Sequence, residues 1–368
     1  MRDDEVMARA LELGRQVRRL TAPNPWVGSV VVRDGVVIGE GATEPPGGRH
    51  AEVVALAAAG ERARGATVFT TLEPCVHQGR TGPCVDAVIA AGVARVVSAI
   101  EDPDPQVSGR GHASLRIAGV TVDTGVRARE ASTLLGPYIV HRRDGRSFTM
   151  IKAATSLDGR VAASDGASRW ITGVAARADA HERRADSQAI VVGSGTALAD
   201  GPALTVRDVT GPLGPPPLRV LVDGRGRVPA SGPLFDTALA PTLVVTTDRS
   251  PQAARGAWIA AGAAVEELPA NGSGSGVDLA ELLALLARRG VLQALVEGGP
   301  TLHGGFFGAG LVDRIVAYVA PVVLGAGGRA AYGVDPGPPL DLASRYRLVG
   351  VRALGDDVAL EYEPPESP

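Results

Sequence analysis

His50, Glu52, Cys75 and Cys84 are the residues of this chain whose types and spacing could do chemistry together. His50-Ala51-Glu52 stands at a predicted helix start. Glu73-Pro74-Cys75 follows an apolar segment, and Cys84 follows Pro83 where another helix should begin. One imidazole and two thiolates suit zinc, and three protein ligands leave a fourth position for water. That open position marks a catalytic site rather than a structural one. His77 is the nearest candidate for a fourth protein ligand, but its one-residue spacing from Cys75 makes joint chelation awkward. Helix starts and turns under the two cysteines offer backbone N–H groups to their thiolates. A metal held here lowers the pKa of water. Glu52 is placed to move protons between that water and a substrate. Cys75 and Cys84 are the only two cysteines of the chain. A histidine at a helix end and two unrelated buried thiols would leave their joint pattern unexplained.

The pattern resembles that of zinc deaminases, in which water displaces an amine from a ring carbon and a glutamate carries the protons. Those enzymes separate the cysteines by two residues. Here Val76-His-Gln-Gly-Arg-Thr-Gly-Pro83 intervenes, which predicts a loop beside the metal that builds part of the substrate pocket.

The second half offers other chemistry. Lys152 is the one lysine among 37 cationic side chains. A compact ammonium is not interchangeable with a planar guanidinium in a tight site, which singles Lys152 out. Gly193-Ser-Gly-Thr196 and Glu297-Gly-Gly-Pro-Thr-Leu-His-Gly-Gly305 each follow an apolar run. Glycines there let backbone N–H groups approach a phosphate. Neither stretch is a Gly-x-Gly-x-x-Gly between strand and helix, so the dinucleotide-binding Rossmann pattern is excluded. Two such turns suit a dinucleotide, and each can equally be a tight strand-to-helix connection. Lys152, Asp200 and Glu297 are this half's candidates for stabilising charge or moving protons. Asp200 also stands in good turn chemistry, Ala199-Asp-Gly-Pro202.

Taken in order, several stretches resemble the bifunctional deaminase/reductase family of riboflavin biosynthesis. They are Pro23-Asn-Pro-Trp-Val-Gly28, His50-Ala-Glu52, Glu73 to Cys84, Asp102-Pro-Asp-Pro105, Lys152 to Arg160, Trp170-Ile-Thr-Gly173, Val192 to Asp200 and Val296 to Thr301. The resemblance covers nearly the whole chain. It implies a cytidine-deaminase-like three-layer α/β/α domain followed by a dihydrofolate-reductase-like α/β domain. The first would remove the 2-amino group of a diaminopyrimidinone ribosylamine 5′-phosphate, and the second would reduce the ribosyl group to ribityl with NADPH. It also implies that Asn24 meets the pyrimidine and that His77 and Arg80 meet the phosphate. Ser168, Arg184, Leu204, Arg207 and Glu297 would contact the substrate of the second step. Ala154, Trp170, Thr196, Asp200, Thr246 and the turn Gly299, Pro300, Thr301, Leu302, His303 would contact NADPH. The chain departs from the family in four places. Arg80 stands for a usual Lys, Gly82 for a Pro and Gly201 for an Asp, while Thr43 stands for a His two residues after a Gly-Glu-Gly turn. No reader of the cofactor's 2′-phosphate is evident. The alternative is a nucleoside or base deaminase with an unrelated second domain.

The elements that must position these residues alternate. Helices are predicted at Asp3–Arg19, His50–Ala59, Pro83–Ala91 and Ala128–Arg143. A hairpin is predicted at Val27–Val32 and Val36–Ile38, with strands at Thr67–Leu72 and Arg95–Ala99. A linker at Asp144-Gly-Arg146 divides a domain over 1–145 from one over 146–368. The second domain is predicted to have strands at Phe148–Ala154, Ala189–Val192, Leu218–Val222, Thr242–Thr246, Gln293–Val296 and Arg314–Val319. Its helices are predicted at Gly173–Arg184, Leu279–Arg289 and Thr301–Gly308. The stretches 210–217 and 269–276 read as surface insertions. Apolar residues make up 45% and charged residues 21%, so both halves can bury a core. A net charge of −3 with no basic stripe argues against nucleic acid. No run is long enough to span a membrane and the acidic start is not a signal peptide, so the expected setting is the cytoplasm. A homo-oligomer is compatible with the sequence.

Overall fold

A computed structural model describes every residue except 79–81, 273, 275, 334–336 and 366–368. The chain divides into two compact units, Met1–Gly145 with Pro212–Gly214, and Arg146–Gly211 with Pro215–Pro368. Part of the insertion around 210–217 is thus counted with the first unit.

The first unit runs α1 (Asp3–Gln16), β1 (Gly28–Arg33), β2 (Val36–Ala42), α2 (Ala51–Ala59), β3 (Thr67–Thr70), α3 (Cys84–Ala90), β4 (Arg95–Ser98), α4 (Arg110–Ile117), β5 (Thr121–Thr124) and α5 (Ala128–Asp144). Its sheet has the order β2-β1-β3-β4-β5. β1 is antiparallel to both neighbours, and β3, β4 and β5 are parallel. Val31, Val68 and Val96 face a core shared with Ala55, Val88 and Leu115 of α2, α3 and α4. Gly39 and Gly41 sit in β2, not in a turn as the sequence suggested. A Cβ on Gly41 would lie 2.5 Å from the Ala51 carbonyl oxygen, and one on Gly39 would lie 2.3 Å from that of Ala55. The helix backbone therefore rests directly on the strand. On the opposite face a Cβ on Gly28 would lie 1.9 Å from the Ala10 carbonyl oxygen of α1. Trp26 is buried there, and its Nε1 donates to the Leu134 carbonyl of α5 at 3.0 Å. Helices on both faces make the expected three layers.

The second unit runs β6 (Phe148–Ser156), β7 (Arg160–Ala162), α6 (Val174–Ala185), β8 (Ala189–Gly193), α7 (Ser194–Asp200), β9 (Leu218–Val222), β10 (Thr242–Thr246), α8 (Gln252–Ala260), β11 (Ala264–Glu267), α9 (Leu279–Arg288), β12 (Gln293–Val296), α10 (Pro300–Gly308), β13 (Arg314–Ala320), β14 (Arg329–Ala330), β15 (Arg347–Leu354) and β16 (Asp357–Glu363). Nine strands form one sheet, β11-β10-β9-β8-β12-β6-β13-β16-β15. It is parallel from β11 to β13, and an antiparallel hairpin of β16 and β15 completes it. β10 and β12 are buried along their whole length, because helices cover both sheet faces. Val191, Val245 and Val296 pack with Leu282, Leu286 and Phe306 on one face. Val192, Leu221 and Val244 pack with Ala197 and Trp258 on the other. Among the described residues, no helix is long and apolar enough to cross a membrane.

Candidate active sites

The packing of α2 on β2 fixes the first site. His50 is the N-cap of α2, and Glu52 lies in its first turn. Cys75 follows β3, and Cys84 opens α3. His50 Nδ1 lies 3.2 Å from Cys84 Sγ and 3.5 Å from Cys75 Sγ. The three ligand atoms all lie within 4.8 Å of one another. Bonds of about 2.0–2.3 Å to one tetrahedral ion place such donors about 3.5 Å apart. The set therefore fits zinc in both donor chemistry and spacing. The Cys84 N–H donates to Cys75 Sγ at 3.4 Å, the backbone support expected for a thiolate. A hydrogen bond from the Cys84 thiol, opposed by burial and helped by His50, draws Cys75 down to about 4; the same bond, now reinforced by burial, pushes Cys84 up. Glu52 is buried, with Oε2 3.5 Å from Cys84 Sγ. Burial, then the Cys75 charge, pushes its carboxyl up to about 7. A cation among the ligands acts in the opposite direction.

A cavity of about 340 Å³ opens beside these groups. Asn24, Thr43 and His77 line it together with His50, Glu52 and Cys75. The Thr43 hydroxyl accepts the Val27 N–H at 3.1 Å, so it is already committed to the backbone. Arg80, expected at the phosphate, lies outside the described residues. Asp102, Asp104, Tyr138 and Arg142 also line the cavity, and residue-level reading had given none of them a role. Glu73 explains how the first two come to be there. Its buried carboxylate accepts N–H groups from Asp102 at 3.1 Å, Gly109 at 2.9 Å and His112 at 3.0 Å, which pins the loop to α4. Tyr138 Oη donates to Asp102 Oδ1 at 3.2 Å. Burial, with smaller contributions from Asp104 and Glu73, pushes Asp102 up to about 6. The one available signal was the Asp-Pro-Asp-Pro stretch, and nothing local connects it to Tyr138 and Arg142, which lie one turn apart on α5.

In the second unit a cavity of about 540 Å³ opens on β6, α6, α7 and the turns after β8 and β12. Lys152, Ala154, Ser168, Trp170, Arg184, Thr196, Asp200, Leu204, Arg207, Glu297, Gly299, Pro300 and His303 line it. Thr301 and Leu302 do not. Thr246 is fully buried, and its hydroxyl donates to the Asp223 carbonyl at 2.7 Å. Arg184 grips Glu297 with two bonds, 2.5 Å to Oε1 and 2.9 Å to Oε2. Lys152 Nζ stands 3.8 Å from the same carboxylate. Burial pushes Glu297 up, but the charges of Arg184 and Lys152 and the Arg184 bond outweigh it and hold the carboxyl at about 2. The Ser168 hydroxyl donates to Asp200 Oδ1 at 3.4 Å. Burial pushes His303 down to about 4, so the imidazole is neutral. A Cβ on Gly299 would lie 2.8 Å from Thr196 Oγ1, and one on Gly298 would lie 2.6 Å from Leu302 Cδ2. Glycine at 299 lets the turn after β12 lie directly against Thr196 of the turn after β8. This cradle fits a dinucleotide. Arg177, whose guanidinium lies 4.5 Å over the Trp170 ring, also lines the cavity and had no sequence signal in so arginine-rich a chain.

Residues 147–360 match the family model described as the RibD C-terminal domain, and residues 1–100 match the cytidine and deoxycytidylate deaminase zinc-binding region. The riboflavin biosynthesis protein RibD of Chlamydia pneumoniae is 42% identical over 97% of this chain and 94% of its own. That of Escherichia coli K12 is 40% identical over 98% of this chain and 99% of its own. The solved structure of Acinetobacter baumannii RibD, form 1, matches with a TM-score of 0.87 at 36% identity, covering 99% of each chain. A Thermotoga maritima protein matches with a TM-score of 0.83 at 31% identity, covering 98% of each chain. It is described as a diaminohydroxyphosphoribosylaminopyrimidine deaminase/5-amino-6-(5-phosphoribosylamino)uracil reductase. Identity at this level over nearly whole chains, with both domain types in the same order, places the chain in the RibD family of riboflavin-biosynthesis deaminase/reductases.

Proposed function

We propose that the domain over 1–145 removes the 2-amino group of a diaminopyrimidinone ribosylamine 5′-phosphate and that the domain over 146–368 reduces the ribosyl group of the product with NADPH. The observation that carries this reading is the convergence of His50, Cys75 and Cys84 beside the Glu52 carboxylate, with His50, Glu52 and Cys75 lining one cavity. Zinc bound by His50, Cys75 and Cys84 supplies a Lewis acid that makes water nucleophilic near neutral pH. Glu52 Oε2 would take one proton from the attacking water and pass it to the ring nitrogen, then carry a second, from the newly added hydroxyl, to the departing amine. Its burial keeps bulk water from competing for that proton. Asn24 holds the pyrimidine edge from the turn before β1. His77, which lines the cavity, meets the phosphate together with Arg80.

In the second unit NADPH supplies the hydride. Ala154, Trp170, Thr196, Asp200, Gly299, Pro300 and His303, which line the cavity, hold it; Thr246, buried with its hydroxyl on the Asp223 carbonyl, does not reach it. Ser168, Leu204 and Arg207 position the substrate beside Arg184 and Glu297. Lys152, Asp200 and Glu297 are the groups that stabilise or protonate the opened ribosylamine, and Lys152 Nζ stands 3.8 Å from the Glu297 carboxylate. The cysteines are used as metal ligands rather than a disulfide, which suits the reducing cytoplasm. Purified protein given the diamino substrate should release ammonia, and NADPH absorbance should then fall at a matching rate. Zinc-loaded protein that releases no ammonia would sink the first half. A constant NADPH absorbance with the deaminated substrate would sink the second.

A further inference from the structure

The segment that joins α7 to β9 brings Leu204 and Arg207 to the large cavity. Leu204 (φ 50°) and Asp208 (φ 53°) both hold left-handed backbone without being glycine. Such a conformation persists only where its surroundings fix it. Here α6 does the fixing. Arg184 Nη1 donates to the Thr205 carbonyl at 2.9 Å, the Arg207 N–H donates to His181 Nδ1 at 3.2 Å, and the Thr210 N–H donates to Glu182 Oε1 at 3.4 Å. The middle bond differs in kind from the other two. Between about pH 5 and 8 a guanidinium and a carboxylate keep their charge, whereas an imidazole changes its own. Nδ1 accepts an N–H only while it carries no proton, so this bond requires the neutral ring with its proton on Nε2. His181 is half-buried on α6. It is not among the residues that line the cavity, and its route to the cavity is the Arg207 backbone.

We propose that His181 is a positioning residue for the reduction: its neutral ring holds the Arg207 main chain so that the Arg207 guanidinium meets the substrate's phosphate. The proposal rests on the reading of Arg207 as a substrate contact in a phosphoribosyl reductase. Arg184, on the same helix, is already committed, with two bonds to Glu297 and one to Thr205. A substrate phosphate therefore needs a second cation, and Arg207 supplies one from the exposed side of the cavity. Protonation of His181 sets an N–H against the Arg207 N–H, and the bond is lost. The segment then keeps only its ties to Arg184 and Glu182, and Arg207 loses its fixed place. The turns after β8 and β12 are not touched by this change. The groups facing His181 decide where it happens. Burial, then Arg184 on α6 and Arg207 on the segment, hold the imidazole below its ordinary 6.5, while Glu297 after β12 and Asp208 on the segment oppose them by less. The holding form therefore prevails at neutral pH, and the tie is lost on the acid side.

Steady-state reduction of 5-amino-6-(5-phosphoribosylamino)uracil by the full chain, followed by NADPH absorbance from about pH 5.5 to about pH 8, tests the assignment. The wild-type KM for this substrate should rise roughly 3- to 10-fold toward the acid end, the size expected of one hydrogen bond, with kcat moving less. The substrate's own phosphate titrates near about pH 6, so each variant is read against the wild type. His181→Asn offers an amide oxygen that accepts the N–H at every pH. It should match the wild-type KM within about twofold at about pH 7.5 and rise less on acidification. His181→Leu should show a KM raised roughly 3- to 10-fold already at about pH 7.5, with the KM for NADPH unchanged. An asparagine variant whose acid rise equals the wild type's overturns the proposal, and so does a folded leucine variant with the wild-type KM. Should His181→Leu fail to fold, the asparagine comparison decides. Arg207→Gln separates the proposal from the reading beneath it, and should raise KM at least as far as His181→Leu. A rise in Arg207→Gln alone overturns only the role of His181. An unchanged KM in Arg207→Gln overturns the reading of Arg207 and the proposal with it. A wild type that oxidises no NADPH with this substrate overturns the reductase reading itself.

Discussion

Glu52 and the metal-ligand candidate Cys84, whose side chains lie 3.5 Å apart, should fail in different ways when replaced. Glu52→Gln leaves His50, Cys75 and Cys84 in place, so the protein should keep its zinc. It should lose ammonia release by roughly 100- to 10,000-fold, the usual worth of a positioned proton carrier. Cys84→Ser should lose zinc itself. Metal analysis beside an ammonia assay separates the two. Glu297 makes a prediction about pH. Its carboxyl sits at about 2 in the fold against an ordinary 4.5, so folding favours the ionised form. That contribution, on the order of 2–4 kcal/mol, is complete above about pH 5 and fades as pH falls toward 2. Acid unfolding of Glu297→Gln should therefore show a shallower slope across that window than the wild type, and an identical slope would remove Glu297 from the account. The metal set was legible in the sequence because its chemistry is local and the chain has no other cysteines. Asp102, Tyr138 and Arg142 were not, because Glu73 brings the Asp102 loop to α5 through backbone bonds that no local pattern announces.

At the scale of the element, the deaminase site depends on how closely α2 sits on β2. Gly41→Ala would drive a methyl group into the Ala51 carbonyl and the Ala55 amide, each 2.5 Å from the new Cβ. The helix must tilt or lift, carrying His50 and Glu52 with it. Overpacking of this kind costs about 1–3 kcal/mol. The expected result is weaker zinc retention and slower ammonia release with NADPH binding unchanged, read by metal analysis and by dinucleotide titration. The long amphipathic and buried elements were readable. Leu218–Val222, Thr242–Thr246 and Gln293–Val296 end where their apolar runs end. Several of the elements that escaped are short or lie at an edge, although β16, paired on both sides, escaped as well. α7 has seven residues, and its Ser-Gly-Thr opening reads as a turn. β11 exposes both its ends, and β15 alternates only weakly between exposed and half-buried positions. Such strands take their form from their neighbours rather than from their own pattern.

At the scale of the whole molecule, each unit has its own core and its own cavity. A strong zinc chelator should abolish ammonia release while the reduction of 5-amino-6-(5-phosphoribosylamino)uracil continues, as measured by NADPH absorbance with that compound supplied directly. Loss of both activities together would contradict this independence. Two separate domains were readable from the linker at 144–146 and from the second run of strands and helices. The assignment of Pro212–Gly214 to the first unit was not readable, because a Pro/Gly-rich stretch has no periodicity to say where it belongs. The rarity of lysine has a consequence of another kind. An endoprotease that cuts only after lysine has one bond to cleave in this chain, Lys152–Ala153. That bond lies within β6, which is paired on one edge with β12 and on the other with β13. Cleavage must wait until the sheet opens. The chain thus carries a built-in clock for the unfolding of its second unit, and each tick yields the two fragments 1–152 and 153–368.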